Sequence, residues 1–213
     1  MNTAAFVILV WVVNFGISIW NAYAVGKAWV ETKYSGGWPR FVAWAGAVMS
    51  ASGFSWCYLI ILTYAAYGLG WLDNEHVSMA MSLGYILLIP AILTSGMVIT
   101  LDSWARTYRR TTLMNLGRSA WNTYAQIHNT FHAIGNVDLA FGNVIDGLRT
   151  KGSGGSDKKG GAVVFILVFV LVMLALISGV LTTAVIISRV AGSTALPEAA
   201  ESLPAEDSGE PAT

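Results

Sequence analysis

The stretch TTLMNLGRSAWNTYAQIHNTFHAIGNVDLAFGNVIDGL, residues 111–148, decides how this chain is organised. It is too polar to read as a bilayer span and too poor in charge to read as a water-facing helix. Leu113, Leu116, Ala120, Tyr124, Ile127, Phe131 and Ile134 recur at intervals of 3, 4, 4, 3, 4 and 3, a helical seam close to a heptad. Between these positions lie Thr111, Asn115, Asn122, Gln126, Asn129 and Thr130, and from Thr111 to Val137 the one formal charge is Arg118. An apolar seam with an uncharged, amide-rich back points to contact with other protein. Leu113, Leu116, Tyr124, Ile127, Phe131 and Ile134 are therefore the expected oligomer or partner interface. A helix lying on the membrane surface fits less well, because the polar face lacks Lys and Arg.

Outward from this stretch the composition changes sharply. The whole chain of 213 residues is 55% hydrophobic and 11% charged, against roughly 25% charged in soluble domains. Four apolar runs are long enough to cross the ~30 Å core of a bilayer: residues 4–30, 41–68, 77–101 and 162–188. The first has Ala22-Tyr23-Ala24, a small-x-small pattern, but no basic region before it, so it reads as a span rather than a signal peptide. Ser35-Gly36-Gly37-Trp38-Pro39 is a turn, and Trp38 is placed as an interfacial anchor. Pro90 lies inside the third run and should free a backbone carbonyl near residues 81–87.

The expected fold class is all-α: a four-helix transmembrane bundle with a cytoplasmic helical extension or hairpin between spans 3 and 4. The expected divisions are 1–101 (helices 1–3), 102–161 (the amphipathic cytoplasmic segment and a Gly/Ser/Lys linker), 162–189 (helix 4) and 190–213 (a disordered tail). That tail has five acids and no base from Thr194 on, too polar to bury a core. The absence of Pro between Asp102 and Ile134 lets span 3 run on as one helix. Gly135-Asn136 reads as a turn before a short returning helix over 137–148.

Basic residues set the expected orientation. Lys27, Lys33 and Arg40 surround the first loop, the second loop has no Lys or Arg, and eight of the twelve Lys and Arg lie between Asp102 and Lys159. The positive-inside rule puts loops 1 and 3 in the cytoplasm and both termini outside, as in a bacterial inner membrane. Trp104, Arg106, Arg109 and Arg110 are candidate lipid-headgroup contacts.

Within the spans, Asn14, Ser18 and Asn21 share one helix face, and Gly46, Ser50 and Gly53 form a small-residue stripe on the next helix. They are expected to serve helix packing or, on a second reading, to line a pore. His128 and His132, four apart, are weak metal candidates that lack an obvious third ligand. Cys57 stands alone in an apolar run. No nucleophile elbow, phosphate loop or dinucleotide fingerprint is present. The expected function is a self-associating structural or assembly component. A channel or carrier for a small neutral solute is the alternative, and a metal-dependent membrane enzyme a lesser one. The expected partners are membrane lipid, further copies of the chain and a cytoplasmic protein; no nucleic acid and no cofactor is expected.

Overall fold

The computed structural model describes residues 3–149 and 158–193. The described residues form five helices and no strand: α1 (Thr3–Lys33), α2 (Gly37–Gly68), α3 (Asn74–Arg109), α4 (Leu113–Arg149) and α5 (Lys158–Ser193). Four stretches are long and apolar enough to cross a membrane: Ala4–Lys33, Gly37–Gly68, Asn74–Arg109 and Ile166–Gly192. The protein is thus an all-helical, multi-pass membrane protein by length and composition. Residues 150–157, within the expected linker, and the tail from 194 lie outside the described residues.

Each helix ends for a local reason. Gly37, at φ 55°, makes the turn into α2. At the end of α2, Gly70 takes φ 73°, and the backbone N–H groups of Leu69 and Trp71 bond to the carbonyls of Ala65 and Ala66. Asp73 then caps α3, accepting from the His76 backbone N–H at 3.0 Å. The break between α3 and α4 needs neither Pro nor Gly. Arg110 is extended (φ −146°, ψ 96°). Thr112 Oγ1 accepts from the Asn115 N–H at 3.1 Å, and Asn115 Nδ2 donates to the Arg110 carbonyl at 2.8 Å. Side chains that bond their own backbone compete with helix continuation.

This break overturns two expectations. Span 3 does not run on past Arg110, and no turn interrupts α4 at Gly135-Asn136. One helix of 37 residues folds back along α3. The pairings run in order: Thr107 with Ser119, Trp104 with Thr123, Leu93 with Gln126, Tyr85 with His132 and Ser82 with Asn143. The hairpin is therefore antiparallel over nearly all of α3, not a segment standing beyond it.

α2 is central, packing on α1, α3 and α5. Its antiparallel fit to α1 runs from Ala28 beside Gly46 to Phe6 beside Tyr64. α5 buries Val168, Val172 and Ala175, spaced i, i+4, i+7 on one face. Gly179 lies so close to α2 that a Cβ there would collide with Ser55. Val168 joins Ala66, Leu72, Met79 and Ala80, whereas Val190 reaches Gly26. One face of α5 is therefore core.

Successive helices thus alternate in direction between an Asp73 end and an Arg109 end. α1 starts at the Asp73 end and α5 finishes at the Arg109 end, so the first and last described helical ends lie at opposite ends of the bundle. The cause is α4. By packing along α3 it adds a fifth traverse of the bundle.

Candidate interface along the α3–α4 hairpin

α4 is polar inside and apolar outside. Its inner face is a ladder of hydroxyls and amides on α3. Thr107 and Ser119 share a hydrogen bond of 2.8 Å, and Trp104 Nε1 donates to Thr123 Oγ1 at 2.8 Å. Gln126 Nε2 donates to the Leu93 carbonyl at 3.1 Å, and Asn143 Nδ2 donates to Ser82 Oγ at 3.0 Å. Thr100 Oγ1 bonds both the Gly96 and the Asn122 carbonyls. Such bonds between membrane helices contribute about 0.6 kcal/mol each, up to about 1.7.

The register behind this ladder was present in the sequence and not read. Asparagines stand at 115, 122, 129, 136 and 143, every seventh residue. Ser119, Gln126, Ala133 and Ala140 keep the same period, three residues before each of the last four asparagines, and Gly147 continues it. The two rows occupy the a and d positions of a coiled coil, with α3 as the partner. The small row permits close approach: a Cβ on Gly147 would stand 2.5 Å from Met79 Sδ. The repeat Gly-Asn-Val at 135 and 142 is a fragment of this longer period.

The expected interface residues all face away from α3. Leu113 is 87% exposed, Phe131 72% and Ile134 67%, and Leu116, Tyr124 and Ile127 are exposed too. The row continues at heptad spacing through Asp138 to Phe141 and Ile145, all exposed. Asp138 interrupts it between the level where His132 meets Tyr85 and the level where Asn143 meets Ser82.

The headgroup candidates gather at the Arg109 end. Arg109 and Arg110 are exposed. Arg106 Nε pairs with Asp102 Oδ2 at 2.6 Å, and the other Asp102 oxygen accepts from Trp38 Nε1 at 3.0 Å. Asp102 is buried, and it ties the start of α2 to the end of α3. Trp38 and Asp102 are 64 residues apart, and no local pattern announces the pair.

In α1, Asn14 is buried and donates to the Val10 carbonyl at 2.7 Å. Ser18 Oγ donates to the Asn14 carbonyl and lies beside Cys57. Asn21 packs on Gly53, where a Cβ would stand 2.5 Å from its Nδ2, and that buried nitrogen has no hydrogen-bond partner. Gly46 touches Ala28, and the Ser50 hydroxyl bonds the Gly46 carbonyl. The Asn row of α1 and the small-residue row of α2 therefore lie face to face.

His128 and His132 have ring centroids 6.0 Å apart, within a run of rings from Trp121 through Tyr124 and on to Tyr85 and Trp56. Among the described residues no group of three His, Cys, Asp or Glu comes together to hold a metal. His132 instead bonds Asn136, whose Nδ2 is 3.0 Å from Nδ1. No family model, no curated protein and no solved structure matches this chain.

Proposed function

We infer that this chain is a five-helix integral membrane protein that self-associates through the outer face of α4, acting as a structural or assembly component rather than an enzyme. One observation carries the reading: α4 repeats the heptad on two faces. The inner face is already satisfied on α3, and the outer row, Leu113 to Ile145, is exposed over the length of the helix.

Depth argues that α4 lies in the membrane. It runs beside the apolar length of α3, so its outer aromatics meet hydrocarbon or protein, while Gln126 and Asn143 spend their amides inward on α3. A second copy of the chain fits as the cover because the outer row keeps one periodicity along the helix, so that two such rows can interdigitate.

Orientation follows from the ends. Lys27, Lys33, Arg40, Arg106, Arg109, Arg110, Arg118 and Arg189 cluster at the Arg109 end, against Arg149, Lys158 and Lys159 at the α4–α5 junction at the other end, where the α2–α3 turn carries Asp73 and Glu75. The positive-inside rule puts the Arg109 end in the cytoplasm, with Arg106, Arg109 and Arg110 at anionic headgroups. The start of α1 is outside and the end of α5 inside.

Oxidative cross-linking tests the interface. In a Cys57→Ala background, Phe131→Cys should give a disulfide-linked dimer in the membrane, while Ala133→Cys, on the α3 side, should not. Equal cross-linking at both positions, or at neither, sinks the assignment.

A further inference from the structure

Between α2 and α4, over α3, lies a cleft of about 220 Å³. Leu88, Ile89 and Ile92 form its apolar floor, and Trp56 and Tyr85 its aromatic wall, in edge contact at 6.5 Å. Its polar edge comes from α4 alone: Asn129 and His132, spaced i, i+3 on one side of the helix. α2 and α4 do not touch here, so the cleft opens sideways at the middle of the apolar length of α3.

The hydrogen bonds at His132 fix which of its ring nitrogens is left to donate. Asn136 Nδ2 donates to the His132 carbonyl at 2.7 Å, which identifies that atom as the amide nitrogen. The same nitrogen is 3.0 Å from His132 Nδ1, which must therefore accept. The neutral imidazole then carries its proton on Nε2. The Tyr85 hydroxyl stands 3.5 Å from the same Nδ1 and is free to turn. The Asn129 side chain lines the cleft with no hydrogen bond to any described residue. An apolar slot with an aromatic wall and two unengaged donors on one edge is the form of a small-molecule site.

We propose that this cleft binds the ring of a lipid-soluble carbonyl compound of the quinone class. Its oxygens would accept from His132 Nε2 and Asn129 Nδ2, its ring would lie against Trp56 and Tyr85, and its tail would leave sideways into the bilayer. No electron transfer is involved: the assignment is of binding. It is independent of self-association, since the outer row of α4 points elsewhere.

The test uses the full chain in phosphatidylcholine nanodiscs, with retention of decylubiquinone measured against empty nanodiscs. Saturable retention of about one molecule per chain is expected. Decylbenzene, which has the ring without carbonyls, and methyl dodecanoate, which has a carbonyl without the ring, should displace it poorly. His132→Phe and Asn129→Leu should each weaken binding roughly tenfold, the scale of one lost hydrogen bond. His132→Gln, whose amide nitrogen falls near the Nε2 position, should stay within about twofold. Retention no greater than in empty nanodiscs, equal displacement by all three compounds, or unchanged affinity in Asn129→Leu overturns the proposal. If His132→Phe fails to fold, the Asn129→Leu and His132→Gln pair still decides it.

Discussion

Gln126 of α4 sits directly over Gly96 of α3. Its Nε2 donates to the Leu93 carbonyl at 3.1 Å, and a Cβ on Gly96 would collide with its Oε1. Gly96→Ala must therefore push α4 off α3 or break that bond, while Gln126→Leu removes the bond and leaves the approach intact. Both should lower stability by about 0.6–1.7 kcal/mol at most, the worth of that bond, because the far end of Gln126 can swing away from a new methyl. Equilibrium unfolding in mixed micelles measures both. No loss in Gln126→Leu would mean that the bond to Leu93 carries no stability.

The Trp38–Asp102–Arg106 node should hold the Arg109 end together. Asp102→Ala leaves the Trp38 N–H and the Arg106 guanidinium without their acceptor. Both of those groups are themselves exposed and keep water, so their loss of the acceptor costs little. Arg106→Ala instead leaves the buried Asp102 carboxylate without its cation, which is the larger penalty. Thermal melting in nanodiscs should show Arg106→Ala below Asp102→Ala. Equal losses would mean that water reaches the Asp102 carboxylate once the guanidinium is gone.

Asp73 predicts a pH dependence at the opposite end. The His76 backbone N–H, with His76 itself beside it, holds the Asp73 carboxyl below its ordinary range. A carboxyl depressed in the folded state contributes stability above its unfolded value, about 3.9, and that contribution is lost as pH falls through the folded value. Protection factors for hydrogen exchange in the first turn of α3, taken against the intrinsic rate at each pH, should therefore fall on acidification below about pH 4. Asp73→Asn, which keeps a capping oxygen, should flatten that change. A variant with the same pH profile as wild type would remove Asp73 as its source.

Much of this was legible in the residues, and the failures have one physical cause. The four apolar runs, the glycine turn at Gly37 and the row of Leu113 to Ile134 were readable because length and periodicity carry them. The position of α4 was not. Amides at every seventh residue look like a solvated back in water. Beside an apolar helix the sense inverts, so Ser119, Gln126 and Asn143 turn inward and Phe131 and Ile134 turn outward. The break at Arg110–Thr112 was hidden as well, since Thr112 and Asn115 make it with side-chain caps that an apolar count does not register. Gly37 and Gly70 announce their turns; two threonines do not.

Five alternating helices predict an accessibility pattern. In a Cys57→Ala background, Ser35→Cys and Gly192→Cys should react with a membrane-impermeant maleimide from the same side, and Asn74→Cys from the other. Labelling of Gly192→Cys together with Asn74→Cys would return the end of α5 to the outer side and remove α4 from the membrane.

The most direct measurement of the central claim is the native mass of the full chain in lipid nanodiscs, compared with Ile127→Asp and Phe131→Asp. Both substitutions lie on the exposed row and touch none of the α3 hydrogen bonds; because an Asp that faces hydrocarbon also opposes insertion, only membrane-inserted protein is weighed, and Phe131→Ala serves as the neutral check. A multimeric wild type that falls to a single copy in either variant is the predicted result. A wild type of one copy, or a multimer indifferent to both substitutions, contradicts assembly through α4.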